Sequence, residues 1–194
     1  WEIEMALEAS IWCFNVESAS ELGRISDIAR AFNKLARVSI RVNPDVDPKT
    51  HPYISTGLKE NKFGVTAEEA RGLYRAAAED PYLEVTGVDC HIGSQIADLE
   101  PYMLALNRLL ILVEELESEA IYVKHIDLGG GFGVRYHEEE PLNMLNFADA
   151  IQNVMGGSRH QLIFEPGRLI VANAGLLLTR VTTVKQNDSK RFAV

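Results

Sequence analysis

The chain has 194 residues, 46% of them hydrophobic and 24% charged, with a formal net charge of -9. That length supports one domain with a sizeable core, and the apolar content excludes a disordered chain. The negative charge, with no basic run to offset it, disfavours nonspecific nucleic-acid binding but leaves small-molecule substrates open. No apolar run reaches the roughly 18 residues of a membrane span, and no charged-then-apolar signal segment opens the chain. Cys13 and Cys90 are too few for a disulfide framework and too far apart for a metal motif. Both lie in apolar strand-like runs and are expected as buried free thiols in a reducing compartment.

In chain order, Trp1 to Leu7 reads as the interior of a helix, with neither an initiator methionine nor a capping residue. Ile11 to Val16 is a short apolar run, expected as a strand covered on both faces. Ser18 or Ser20 can cap a helix running to about Leu35, with Leu22, Ile25, Ile28, Ala29 and Phe32 at helical spacing. Val38 to Asn43 is the next strand, stopped by Pro44. Residues 44–65 form a long polar loop holding Pro48, Pro52, Gly57 and Gly64, a length that is usually functional or disordered. Thr66 and Glu69 make a capping box for a helix to about Glu79. A strand from Val85 to Ile92 leads into His91-Ile92-Gly93-Ser94-Gln95, and an amphipathic helix follows from about Leu99 to Glu119. Ile126 to Leu128 is a strand ending in Gly129-Gly130-Gly131. A helix near 142–155 precedes the strand Leu162 to Phe164, which ends in Glu165-Pro166-Gly167-Arg168. Leu176 to Gln186 reads as a long β-segment of different texture, entering a second, β-rich domain. Ser189 to Val194 stops on a beginning strand, so both ends look cut and an internal fragment of a longer chain is expected.

The alternation of strands and helices is the signature of parallel β/α architecture, where active sites sit at the C-terminal ends of the strands. Those ends here carry Arg41, His91 with Ser94, the glycine run, and Glu165 with Arg168. Glycines without Cβ atoms let the backbone approach an anion and aim several N–H groups at it, a phosphate being the natural guest. A tight strand-to-helix turn would explain the run equally well. Neither a Walker-type loop nor a G-x-G-x-x-G fingerprint occurs, which disfavours a nucleotide. Ser94 could donate a hydroxyl to the same phosphate. His91 could lie flat on a planar aromatic cofactor or be a hydrogen-bonded core histidine. Glu165 could hold a heteroaromatic nitrogen protonated. Arg168 could meet a phosphate or a substrate carboxylate bidentately, or could pair with Glu165 to close a barrel mouth.

The segments Phe14-Asn15-Val16-Glu17-Ser18, Arg41-Val42-Asn43-Pro44-Asp45, Thr56-Gly57-Leu58-Lys59, Lys62-Phe63-Gly64, His91-Ile92-Gly93-Ser94-Gln95, Asp127 to Gly133 and Glu165-Pro166-Gly167-Arg168 carry a specific resemblance. Across essentially the whole chain they resemble the diaminopimelate decarboxylases. These belong to the alanine-racemase-like, fold-type III class of pyridoxal phosphate enzymes, which also holds ornithine and arginine decarboxylases. The Thr56–Lys59 loop and the His-Ile-Gly-Ser-Gln form point to the diaminopimelate branch.

The resemblance implies a partial (β/α)8 barrel over residues 1–175, lacking its first strands and spanning roughly the third through eighth, with a C-terminal β-domain beginning at 176–194. It implies pyridoxal 5′-phosphate as cofactor and a cytoplasmic homodimer that decarboxylates meso-2,6-diaminopimelate to L-lysine, with no nucleic-acid or membrane partner. His91 would stack on the pyridine ring and Glu165 would pair with its nitrogen. Ser94 and the amides of Gly129, Gly130 and Gly131 would bind the phosphate. Gly167 would belong to the same cradle, Arg168 would face phosphate and substrate carboxylate, and Arg41 would lie near the ring oxygen. The class's cofactor-bearing lysine would precede Trp1, and none of Lys34, Lys49, Lys59, Lys62, Lys124, Lys185 and Lys190 replaces it. The C-terminal cysteine–glutamate motif and tyrosine that complete such sites across a dimer are also absent, so these residues alone are expected to be inactive. Decarboxylation of ornithine, arginine or carboxynorspermidine, or a noncatalytic homologue, are the rival expectations.

Overall fold

The computed structural model describes residues 1–47 and 63–194. Helices α1 (Glu2–Glu8), α2 (Ala19–Ala31), α3 (Ala67–Glu79), α4 (Glu100–Ser118), α5 (Met144–Met155) and α6 (Gly167–Val171) interleave with strands β1 (Phe14–Val16), β2 (Ala36–Arg41), β3 (Leu83–Asp89), β4 (His125–Gly130) and β5 (Gln161–Glu165). A hairpin of β6 (Val184–Gln186) and β7 (Arg191–Ala193) follows.

Local chemistry sets the helix starts. The Ser18 hydroxyl accepts the Glu21 amide at 3.2 Å, so Ser18 rather than Ser20 caps α2. At α3 the expected capping box forms: Thr66 Oγ1 accepts the Glu69 amide at 3.2 Å and the Glu69 carboxylate accepts the Thr66 amide at 2.9 Å. β1 is shorter than the apolar run suggested. Ser10 turns with φ 53°, and the Ile11 amide closes on the Ala6 carbonyl, so residues 10–11 are used in leaving α1.

The strands β1 to β5 are all parallel, in sequence order, and each connection between them carries a helix. The architecture is a partial (β/α) barrel, with five parallel strands among the described residues rather than the six implied by a span from the third to the eighth. Parallel order places the C-terminal ends of all five on one edge. Side chains alternate across the sheet. The register row Ile40, Val88, Ile126, Leu162 faces the helices, where the first three join Tyr74, Leu106, Leu109 and Leu116 in one buried core. The next row, Arg41, Asp89, Asp127 and Ile163, faces the opposite side. On that same side Gly87 leaves space that the His125 ring fills, since a Cβ there would lie 2.0 Å from Nε2.

Other expectations change. Leu176 to Gln186 is not one long strand: only Val184–Gln186 is strand, with Thr182 and Thr183 bonded to Val194 just before it, and Leu176, Leu177 and Leu178 are almost wholly exposed. Their β-preference has no partner strand among the described residues to realise it. Pro166-Gly167 forms the entry to the short helix α6. Cys90 is buried as expected, whereas Cys13 is only partly buried because it lies at the exposed start of β1. Pro48, Pro52, the Thr56–Lys59 loop and Lys62 lie outside the described residues; Val65 rejoins the sheet by a bridge to Val42. No helix among the described residues is long and apolar enough to cross a membrane.

Candidate functional site

The sheet gathers the sequence-marked residues on its C-terminal edge. Arg41 ends β2, His91 and Ser94 follow β3, Gly129 and Gly130 end β4, Glu165 ends β5, and Gly167 and Arg168 open α6. A second set, Glu17, Asp89, Asp127 and Tyr102, was given no role from sequence, although Glu17 and Asp127 lie inside segments that carry the resemblance. Asp89 and Asp127 carried a usable signal, since each is a carboxylate inside an otherwise apolar strand and sits on the face away from the helices.

The glycine run owes its composition first to the protein's own backbone. A Cβ at Gly130 would lie 1.9 Å from the Glu165 carbonyl oxygen, and one at Gly131 would lie 1.9 Å from that of Gly93. At Gly129 (φ +66°) it would meet the Cys90 carbonyl oxygen at 2.5 Å and His91 Nδ1 at 2.9 Å. The glycines therefore let β4 close against the ends of β3 and β5. Two of the amides expected to face a phosphate are engaged within the protein. Gly129 N–H donates to Asp127 Oδ1 at 2.8 Å, and Gly130 N–H donates to His91 Nδ1 at 3.2 Å.

His91 is half-buried. Burial, and secondarily the charge of Arg41, lower its pKa against a raising hydrogen bond with the Gly93 backbone, so the imidazole is held neutral. Arg41 is paired with Glu17 at 2.6 Å and its guanidinium lies 5.3 Å from the centre of the Phe63 ring. Burial raises the Glu165 carboxyl, and Asp127 adds to that while Arg41 opposes it. Asp89 is pushed well above the usual carboxylate range by burial and then by Asp127, and among the described residues its Oδ1 has no hydrogen-bond partner. Asp127 is raised by burial and drawn back by its bonds to the Gly129 amide and the Asn15 side chain.

Arg168 does not pair with Glu165; it reaches the Tyr136 hydroxyl at 3.4 Å. No lysine among the described residues stands at this edge: Lys124 precedes β4 at the opposite end and bonds Glu84 at 2.5 Å. A cavity of about 460 Å³ lies between α3 and α4 around Arg71, Arg108 and Leu112, and its lining includes none of the marked residues.

A flat neutral imidazole, a carboxyl disposed to keep a proton, and an arginine and a serine with no carboxylate partner among the described residues are brought to one edge. That donor set suits an anionic, planar, nitrogen-containing heterocycle: Glu165 for the ring nitrogen, His91 for the ring face, Arg168 and Ser94 for a phosphate. The class defined is a cofactor-binding β/α barrel of the pyridoxal type. Residues 1–172 match the family described as pyridoxal-dependent decarboxylase, pyridoxal binding domain, and the chain belongs to it.

Among relatives, the diaminopimelate decarboxylase of Pseudomonas aeruginosa is 54% identical over 193 residues, covering 100% of this chain and 46% of that protein. The crystal structure of diaminopimelate decarboxylase from Helicobacter pylori complexed with L-lysine superposes with a TM-score of 0.87 at 46% identity, covering 99% of this chain and 48% of the other. Lysine decarboxylase from Selenomonas ruminantium, at 23% identity and TM-score 0.77, shares the fold. The chain spans about half the length of the curated relatives it matches.

Proposed function

We propose that the intact protein carrying this chain is a pyridoxal-phosphate-dependent decarboxylase that converts meso-2,6-diaminopimelate to L-lysine and CO2. The observation that carries the reading is the single edge on which His91, Glu165, Ser94 and Arg168 meet, in a chain 54% identical along its whole length to a diaminopimelate decarboxylase. When bound, pyridoxal phosphate supplies an electron sink for the carbanion left as CO2 departs. Glu165 holds a proton at the ring nitrogen, for which its raised pKa suits it. His91 packs against the ring face and keeps water from it. Ser94, Gly167 and Arg168 hold the phosphate at the mouth of α6, with Arg168 also placed for a substrate carboxylate. Arg41, braced by Glu17, lies beside the ring substituents. Of the glycine amides only that of Gly131 is assigned to the phosphate, because Gly129 and Gly130 donate within the protein.

Residues 1–175 form the barrel portion and 176–194 open a β-domain, a reading supported by the change from parallel β/α units to an antiparallel hairpin. Since no described lysine stands at the strand ends, these residues alone are not expected to turn over substrate. A cytoplasmic homodimer completes the proposal and rests on the resemblance alone.

The test is release of CO2 by the intact protein with added pyridoxal phosphate, offered meso-diaminopimelate, ornithine or arginine in parallel. Release from diaminopimelate with lysine as product is expected. Release from ornithine or arginine instead would transfer the substrate assignment, and none from any of the three would sink the decarboxylase reading.

A further inference from the structure

The peptide units of the glycine run are gripped from three sides. Inside the barrel, Asp127 Oδ1 takes the Gly129 N–H at 2.8 Å, a turn of the kind in which an aspartate bonds the backbone two residues on. From the helix layer, Tyr102 on α4 donates its hydroxyl to the Gly130 carbonyl at 2.9 Å. The Tyr102 ring is itself wedged, stacked on Phe132 at 5.0 Å and edge-on to Phe147 at 5.3 Å. The Gly130 N–H between these two anchors donates to His91 Nδ1 at 3.2 Å.

A backbone N–H can only donate, so Nδ1 is the bare nitrogen and the proton of the neutral His91 ring sits on Nε2. The bond therefore fixes two properties of the ring: its plane, and which nitrogen is available as a donor. Both depend on where the Gly130 peptide stands, beside the hydrogen bond the ring also makes with the Gly93 backbone. We propose that Asp127 and Tyr102 are positioning residues, which hold the Gly129–Gly130 peptide so that it locks the plane and the tautomer of His91. The proposal rests on the reading of His91 as the residue that packs on the cofactor ring. It gives that ring face a rigid support two residues deep, built on β4 and α4 rather than on a loop.

The experiment is a long-range proton–nitrogen correlation spectrum of the intact protein labelled with ¹⁵N-histidine, with His91→Gln used to assign the signal. A parallel fluorescence titration reads the affinity for pyridoxal 5′-phosphate. The wild type is expected to show one tautomer, protonated at Nε2. Asp127→Ala and Tyr102→Phe are each expected to turn it into a mixture and to weaken cofactor binding about tenfold, the scale of one lost hydrogen bond. Asp127→Asn keeps a carbonyl oxygen for the Gly129 amide and is expected to preserve the single tautomer. An unchanged His91 signal in Asp127→Ala and Tyr102→Phe, or an Asn variant that behaves like alanine, overturns the proposal. If Asp127→Ala does not fold, Tyr102→Phe decides alone, because it removes one oxygen and leaves the ring packing in place. A tautomer that shifts while cofactor affinity stays constant upholds the lock and removes the cofactor reading beneath it.

Discussion

Glu17 and Arg41 form a 2.6 Å ion pair across the C-terminal ends of β1 and β2, and the second Glu17 oxygen accepts the Gly64 amide at 3.4 Å. One carboxylate thus ties two strands to the segment that leads into α3. The Arg41 side chain is 18% exposed and that of Glu17 36%, so solvent screens the pair from one side. Glu17→Ala is expected to cost about 1 kcal/mol, below the 3–5 kcal/mol of a fully buried pair. Urea denaturation in low and high salt checks this: the loss should shrink as salt rises, and a salt-independent loss would point to packing instead.

The glycine run invites a sharper test, because its composition is explained by backbone contacts. Gly130→Ala would bring Cβ to 1.9 Å from a carbonyl oxygen of a neighbouring strand, where no flexible side chain can yield. A loss of at least about 3 kcal/mol, or failure to fold, is expected, as for other overpacked sites. Gly72 lies exposed in α3 with nothing within 4 Å of a built Cβ, and Gly72→Ala should stabilise by roughly 0.5–1 kcal/mol. Paired melting curves distinguish the two, and equal effects would remove the steric account.

What the sequence disclosed was governed by range. The β/α alternation, the Thr66 cap, the α2 cap down to a choice of Ser18 or Ser20, and the strand-end placement of Arg41, His91, Glu165 and Arg168 depend on residues a few positions apart and were legible. Leu176 to Gln186 misled because a β-preference becomes a strand only beside a partner. The glycine run was legible as a close-approach site, but which atom approaches is a tertiary fact: Glu165 and Gly93 carbonyls, not only an anion. Asp89 and Asp127 are register partners, a relation no single strand displays. Tyr102 reads in sequence as one more apolar position of α4, and only the fold brings its hydroxyl to Gly130.

The capping box makes a prediction independent of the site. Thr66→Ala removes the acceptor of the Glu69 amide and the hydroxyl that donates to the Glu69 carboxylate, while the backbone N–H of residue 66 still bonds that carboxylate, so α3 should lose about 1 kcal/mol. Thr66→Ser should restore most of it. The check is the denaturation midpoint of both variants, and a fully destabilised Ser variant would mean that the Thr66 methyl, not the cap, carries the effect.

Asp89 governs a pH dependence whose sign can be worked out. Its carboxyl is raised well above the ordinary value by burial and by Asp127, and Arg41 only partly opposes this. The folded protein therefore holds this proton over a pH range in which the unfolded chain, with an aspartate pKa of about 3.9, has released it. Stability from this group is fully present below about pH 4 and is lost as pH rises through the folded pKa. His91 and His125, lowered chiefly by burial, act in the opposite sense: the folded state resists their protonation, so they cost stability as pH falls below about 6.5. Comparison with Asp89→Asn removes the histidines from the balance, since both proteins carry them. The Asn variant mimics the protonated acid at every pH. It should match the wild type near pH 4 and exceed it increasingly toward pH 8, as read from urea midpoints across that range. A variant less stable than wild type at pH 8 would show that Asp89 is held as a useful anion, with Arg41 as a stronger partner than Asp127 is a repellent.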